Sequence, residues 1–236
     1  MAARATAVSD DAAIVWVHYL PLATTCVAVP FLVALIRRRR ARGEGAHLSW
    51  WALGVACYGL GTLLESIITL AGNSVALNKA WYIAGALLGA YPLAQGTVYL
   101  LLERAKADRL TRITVPIVAV VAALVVLSPV DLDALEPHRP SGAVLAWTWV
   151  RALTPLLNLY AVFFLVGGAA LSAVRYARTR THLGRAVGNT LIALGAILPA
   201  IGGGMAKAGT VEALYVAELI GLLLIWAGYV CCTRAG

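Results

Sequence analysis

Three charged side chains stand inside otherwise apolar stretches of this chain, and they are the first candidates for chemistry. Glu65, Arg151 and Glu218 each have mostly apolar neighbours in the sequence. A charge near the centre of a membrane costs about 2.5–3.5 kcal/mol on insertion scales, so charged residues in spanning helices face the interior of a bundle or a cavity. Because an isolated buried charge is strongly unfavourable, we expect these three residues to converge and to pair.

Their convergence permits three interpretations. In the first, the charges form an internal ion-pair network that ties together the second, fifth and seventh helices. In the second, they surround a pocket that opens outward and takes a ligand with an ionised head group. In the third, they lie at the lipid boundary and extend their charged ends toward water. At about 1.5 Å per residue, Glu65 lies about 24 Å from the inner start of its helix, in the external half.

Aromatic and amide residues extend this polar zone downward. Tyr91, Gln95 and Tyr99 follow one another at steps of four, which places them on one face of a helix. They would present their polar groups either to a cavity wall or to neighbouring helices. Trp81 and Tyr82 also suit an aromatic belt at the external membrane interface. The predicted ligand-binding residues are Glu65, Arg151, Glu218, Tyr91, Gln95, Asn158, Trp81, Tyr82 and Tyr215.

Several chemistries lack the residues that they need. The last apolar run contains no lysine, which argues against a retinal Schiff base. His18, His47, His138 and His182 all fall near loops, two at each side of the membrane, and so make a poor zinc site. No P-loop, dinucleotide-binding glycine pattern or GxSxG motif occurs. We therefore predict no catalytic residue, no metal and no cofactor, and the sequence does not favour an enzyme.

The elements that position these residues are long apolar runs. A chain with 61% hydrophobic and 13% charged residues has too little charge for the surface of a soluble domain. A membrane-spanning helix needs about 20 apolar residues. The runs are Ala13–Ile36, Ser49–Ala71, Ala80–Leu102, Ile113–Leu127, Ala143–Val174, Ala186–Ala206 and Val211–Cys232. We predict an all-α, polytopic bundle of seven transmembrane helices that forms one domain over residues 1–236, with no soluble domain. The proline-containing connection Ser128–Gly142 is predicted to be an exposed external turn region.

The basic residues predict the orientation of this bundle. Fourteen of the 19 Lys and Arg residues fall on one side if the runs alternate in direction. They are Arg37–Arg40, Arg42, Arg104, Lys106, Arg109, Arg112, Arg175, Arg178, Arg180, Arg185 and Arg234. The positive-inside rule then places the C-terminus in the cytoplasm and the N-terminus outside, in a multi-pass protein of the cell membrane. Such juxtamembrane charges suit anionic lipid headgroups better than nucleic acid.

Short segments of the second and third runs carry a family resemblance. They are Trp51-Ala-Leu-Gly, Leu63-Leu-Glu65-Ser, Lys79-Ala-Trp81-Tyr82-Ile-Ala-Gly-Ala and Tyr91-Pro92. They resemble helices two and three of the seven-helix sensor region at the N-termini of some bacterial membrane histidine kinases. In those regions a Trp opens helix two, a Glu lies near its external end, and an aromatic third helix leads to a Pro. The resemblance implies an external or intramembrane ligand site and signalling by helix movement.

Two function classes stay open. The first is a receptor-like or ligand-binding protein whose external pocket takes a small molecule or lipid. Only four residues follow the seventh run, so we expect it to act through a separate signalling partner. The second is a small transporter or channel, which would need polar residues that continue to the inner face, where Tyr99 and Asn189 are the main candidates. The compact, Ala-, Leu-, Gly- and Arg-rich composition suggests a bacterial protein.

Overall fold

The computed structural model describes residues 16–43, 45–180 and 182–234, which are almost entirely helical. Nine α-helices occur in these ranges, together with two π-helical segments, Tyr82–Leu87 and Val162–Gly167, and one short 3₁₀ helix, Gly142–Val144. The α-helices are α1 (Leu20–Arg42), α2 (Ala46–Ala71), α3 (Val75–Trp81), α4 (Tyr91–Leu101), α5 (Arg104–Leu127), α6 (Thr148–Ala161), α7 (Gly168–Thr179), α8 (Leu183–Lys207) and α9 (Glu212–Arg234). The predicted all-helical class is therefore confirmed for the described residues.

Six helical stretches in the described residues are long and apolar enough to cross a membrane. They are Leu20–Arg42, Ala46–Ala71, Arg104–Leu127, Thr148–Thr179, Leu183–Ala206 and Glu212–Arg234. Their outward surface is apolar as well, as Val120, Leu127 and Phe163 are 58%, 68% and 70% exposed. A soluble protein would rarely expose so many large apolar side chains, whereas lipid tails solvate them. The chain is a multi-pass helical membrane protein.

The third predicted run differs from this group because it is not one continuous α-helix. The chain follows α3, passes through the π-helical segment Tyr82–Leu87 and a turn, and starts again as α4 at Tyr91. Pro92 stands in the first turn of α4, where its missing N–H leaves no hydrogen bond unmade. The helix that contains the fourth run, Ile113–Leu127, is longer than the run itself, since α5 already begins at Arg104. Residues 13–15 of the first run lie outside the described residues.

One end of the bundle, here called the loop end, is closed by the connection between α5 and α6. The Asn73 amide donates to the carbonyl oxygens of Glu136 at 3.0 Å and Arg139 at 3.2 Å. The fully buried Asn78 donates to the Ser141 carbonyl oxygen at 2.9 Å. Lys79 Nζ donates to the carbonyl oxygens of Val126 and Ser128 at 2.7 and 2.8 Å. These polar groups tie the connection to the start of α3, while its tip is exposed as predicted, with Leu132 67% exposed.

The opposite end, here called the basic end, collects the clusters of arginine. Arg39 Nε donates to Ser49 Oγ at 3.0 Å, which joins α1 to α2. The Arg38 guanidinium lies 5.9 Å from the centre of the Tyr229 ring, which joins α1 to α9. Asn189 Nδ2 contacts Cys232 Sγ at 3.5 Å, which joins α8 to α9. These contacts bring the ends of α1, α2, α8 and α9 together on one side.

Glycine allows the closest approaches between helices. Gly188, Gly195 and Gly202 recur every seven residues on α8, and Gly221 and Gly228 share that spacing on α9. A Cβ on Gly195 would lie 2.5 Å from the Gly221 carbonyl oxygen, and a Cβ on Gly221 would lie 2.7 Å from the Gly195 carbonyl oxygen. A seven-residue repeat keeps one seam of a helix against its neighbour. The glycines therefore set the contact between α8 and α9.

The apolar core lies nearer the basic end. Phe31 of α1 stacks on Trp226 with ring centres 5.6 Å apart, and it also contacts Tyr229. Trp51 Nε1 donates to the Leu93 carbonyl oxygen at 3.1 Å and so ties α2 to α4. This core separates two polar regions of the bundle, one around Glu65 and the other around Gln95.

Candidate functional site

The first polar region is an acidic centre formed by Glu65 of α2 and Glu218 of α9. Each lies six residues from the loop-end terminus of its helix, Ala71 or Glu212, which is a depth of about 9 Å. Glu65 is only 1% exposed. The two carboxyl groups lie close enough to interact with each other.

The remaining oxygens of the acidic centre lack donors. Among the described residues, no N–H or hydroxyl group donates a hydrogen bond to Glu65 Oε2 or Glu218 Oε2, although both atoms are buried. Buried polar atoms are normally paired, because an unmade hydrogen bond costs about 1–3 kcal/mol. The centre thus has unused capacity to accept hydrogen bonds or to hold positive charge.

Two tyrosines flank the acidic centre. Tyr58 lies on α2 and donates its hydroxyl hydrogen to the Glu218 carbonyl oxygen at 3.0 Å. Tyr215 is 2% exposed, and both carboxyl groups act on it electrostatically. The ring of His18 lies 6.3 Å from the ring of Tyr215. Tyr58 is absent from the predicted site, although it shares a face of α2 with Thr62 and Glu65 at helical spacing.

The predicted partner Arg151 does not join this centre. In the described ranges, the ion pairs are Arg104–Asp108, Lys106–Glu103 and Arg139–Glu136. Arg151 belongs to α6, which packs against α4 and α5, whereas α9 packs against α8 and α1. The expectation that Arg151 pairs with Glu65 and Glu218 is therefore wrong, because the order of helices around the bundle keeps them apart.

The second polar region is a chain of hydrogen bonds that joins α4, α5 and α6. Gln95 is fully buried; its Nε2 donates to Thr111 Oγ1 at 2.7 Å, and its Oε1 accepts from the Tyr160 hydroxyl at 2.7 Å. Tyr91 and Thr114 are hydrogen-bonded through their hydroxyl groups at 2.7 Å. Tyr91 and Gln95 are predicted to face either a cavity wall or neighbouring helices. In the structure, both form hydrogen bonds to neighbouring helices.

This chain continues to the basic end. The Thr111 hydroxyl donates to the Tyr99 oxygen at 3.1 Å, and the Tyr99 hydroxyl donates to Asp108 Oδ1 at 2.7 Å. Asp108 in turn lies 3.8 Å from Arg104. Tyr91, Gln95 and Tyr99 therefore share one helix face, as their spacing predicts. Thr111 and Asp108 are absent from the predicted site, although their spacing of three places them together on α5.

The remaining predicted residues lie nearer the loop end. Tyr82 is 6% exposed, and its hydroxyl is hydrogen-bonded to Thr154 Oγ1 at 2.9 Å. Asn158 Nδ2 donates to the Ala86 carbonyl oxygen at 3.3 Å. The ring of Trp81 contacts that of Tyr82 at 6.3 Å. The interfacial-belt interpretation is therefore wrong for Tyr82, whose ring is buried between helices.

Two cavities in the described structure lie away from the acidic centre. The larger cavity, about 550 Å³, is a groove between α7 and α8. A much smaller one, about 10 Å³, lies between residues such as Phe31, Trp51 and Leu93 in the core. No cluster of three or more His, Cys, Asp or Glu side chains suited to a metal ion occurs in the part of the chain that the structure describes. The two carboxyl groups, which have unpaired buried oxygens, are the candidate ligands for a cation.

Comparison with known proteins adds no relative. The resemblance of the second and third runs to sensor regions of histidine kinases rests on the quoted residues alone and stays a prediction. No family model matches the chain, and neither a curated protein nor a solved structure matches it.

Proposed function

We propose that this chain is a receptor-like membrane protein of seven spans that binds a small, positively charged ligand at the acidic centre and acts through a separate partner. One observation supports a positive charge on the ligand: the two buried carboxyl groups have no cationic partner among the described residues. The proposal keeps the predicted external polar site but replaces its mixed charges by an acidic centre of Glu65 and Glu218.

The proposed topology adds the broken stretch Val75–Leu101 to the six continuous spans. Its 27 positions would cover about 40 Å if wholly helical, enough for a hydrocarbon core of about 30 Å. With seven spans, the chain ends on opposite sides, and the three basic clusters and Arg234 all fall at the basic end. The positive-inside rule then favours a cytoplasmic C-terminus and an external N-terminus.

Reporter fusions test this topology. We expect alkaline phosphatase, which is active only outside the cytoplasm, to be active when fused after Gly72 and inactive when fused after Leu102, because the third stretch crosses between them. A fusion after Arg42 serves as the inactive control at the basic end. Activity at both Gly72 and Leu102 would mean that this stretch does not cross and that the protein has six spans.

The chemistry of the acidic centre supports a ligand role over a purely structural one. A buried polar pair with unmade hydrogen bonds stabilises a fold less than apolar residues of the same size do. Ionisable residues inside membrane spans commonly mark sites of ligands, ions or protons. The rings of Tyr58 and Tyr215 would add cation–π attraction for an organic ammonium group. Hence a primary or quaternary amine is the ligand class that fits these residues best.

The position of the centre also suits signalling. Glu218 lies on α9, which runs on to Tyr229 and Cys232 at the basic end. There α9 contacts α1 through Arg38 and α8 through Asn189. A cation between Glu65 and Glu218 would change the electrostatic interaction between α2 and α9 near the loop end. A tilt of α9 would then alter the surface offered to a partner at the basic end.

Thermal unfolding of the purified protein with defined amines tests the ligand role. We expect ammonium, methylammonium or choline chloride to raise the apparent Tm of the wild type by several degrees relative to sodium chloride at equal ionic strength, because a ligand of the folded state stabilises it. Glu65→Gln should abolish that rise. Glu103→Gln, an exposed carboxyl at the basic end, is the matched control and should keep it. If none of these amines acts on the wild type, or if Glu65→Gln responds equally, the proposed ligand class is wrong.

A transporter is the alternative, and one observation favours it. Hydrogen-bonding groups continue from Tyr160 through Gln95, Thr111 and Tyr99 to Asp108, so polar groups do reach the basic end. In proteoliposomes, uptake of labelled methylammonium that requires Glu65 would favour transport. Binding without uptake would favour the receptor.

A further inference from the structure

The groove between α7 and α8 has the form of a site for a lipid chain. The groove is open at the surface of the bundle near the basic end, and its volume of about 550 Å³ lies within the range of about 300–1,000 Å³ that small-molecule sites span. The buried Ala173 and Ala186 form its floor, and the exposed Val174, Leu183 and Val187 form its walls. Small side chains on the floor leave room that a larger residue would fill.

Basic residues follow directly after the residues of α7 that line this groove. Arg178 lies one turn beyond Val174 on the same face of α7, and Arg180 ends that helix in a left-handed conformation with φ of 52°. Both are exposed, and neither forms an ion pair with a described carboxylate. Arg185, by contrast, lies against the Tyr176 ring at 5.8 Å. Two guanidinium groups without an ion-pair partner among the described residues thus follow the apolar lining along the chain.

We propose that this groove binds one anionic phospholipid, with an acyl chain between α7 and α8 and the phosphate held by Arg178 and Arg180. Guanidinium groups bind phosphate through paired hydrogen bonds, and the apolar lining suits a hydrocarbon chain. Charge complementarity selects this occupant over a second copy of the protein. A symmetric dimer through the groove would bring the arginines of both copies together, and like charges disfavour that contact.

Native mass spectrometry in detergent tests the site with two lipids that share the same acyl chains, phosphatidylglycerol and phosphatidylcholine. We expect the wild type to retain one phosphatidylglycerol at an affinity on the order of tenfold above that for phosphatidylcholine, because each basic residue near the surface adds to the attraction. The double variant Arg178→Gln, Arg180→Gln should lose this preference while it still binds both lipids weakly. Ala177→Leu, which places a larger side chain in the groove, should lower binding of both.

The controls separate this site from general attraction to anionic lipid. Arg109→Gln with Arg112→Gln removes two exposed charges at the same end, away from the groove, and should keep the preference. Equal retention of the two lipids by the wild type, or unchanged retention by Ala177→Leu, would overturn the proposal. A dimer that Ala177→Leu dissociates would make a second copy the occupant and would overturn it as well.

Discussion

Replacement of Gly195 by alanine is expected to push α8 away from α9 and to lower the free energy of unfolding by about 1–3 kcal/mol. A Cβ at position 195 would lie 2.5 Å from the Gly221 carbonyl oxygen and 2.9 Å from the Ile225 nitrogen. Both obstacles are backbone atoms inside a helix, so no rotation of a side chain relieves them. The apparent Tm, followed by size-exclusion chromatography after heating, should fall by about 2–12 °C.

Gly203→Ala is the matched control for this prediction. Gly203 lies on the same helix, and nothing stands within 4 Å of where its Cβ would be. Because alanine favours a helix over glycine by about 1 kcal/mol, this change should leave the Tm unchanged or raise it. A Gly195→Ala protein as stable as the Gly203→Ala protein would contradict the close contact between α8 and α9.

The glycine seam shows why helix pairing could not be predicted from the sequence. The seven-residue spacing of Gly188, Gly195 and Gly202 is visible in the chain, but spacing alone does not say which helix lies opposite. Small residues permit close approach by any neighbour. The partner is decided by the order of helices around the bundle, which depends on all their contacts at once.

Long apolar helices were predictable because the membrane imposes a simple rule. A chain in hydrocarbon must satisfy every backbone hydrogen bond internally, so an apolar run of sufficient length forms a helix. The break in the third run was harder to foresee. Pro92 marks the start of α4, but the π-helical segment Tyr82–Leu87 before it depends on contacts such as the bond from Asn158 to the Ala86 carbonyl oxygen.

The depth of the candidate site residues within the membrane could be predicted from the sequence, but the residues with which they pair could not. Counting residues from the helix ends places Glu65 and Glu218 at one level, and the structure brings them together. The same count also suggested Arg151, because depth says nothing about position around the bundle axis. Attraction between opposite charges favours a pairing of Arg151 with the two glutamates. The packing of α6 against α4 and α5 prevents this pairing. The result is an acidic centre in place of an ion-pair network.

Gln95→Leu is expected to lower the free energy of unfolding by about 1–3 kcal/mol, because the change removes the two hydrogen bonds through which Gln95 ties α4 to α5 and α6. Hydrogen bonds between membrane helices contribute about 0.6 kcal/mol on average and up to about 1.7 kcal/mol. Gln95 should lie at the upper end of this range for each bond, since it is fully buried. Chemical or thermal unfolding in detergent measures the loss. Thr97→Val is the matched control, because its hydroxyl bonds only to Leu93 of its own helix.

A double-mutant cycle assigns the Gln95 effect to its partner on α6. Tyr160→Phe removes only the hydroxyl that donates to Gln95 Oε1, and the ring that packs against Phe164 at 4.7 Å stays in place. If this bond holds the helices, the double variant should be more stable than the sum of the two single losses predicts, by about 0.6–1.7 kcal/mol. Additive losses would mean that the bond does not couple α4 to α6. The cycle also bears on the transporter alternative, because a conducting path needs these groups to exchange partners, whereas strong coupling holds them in one arrangement.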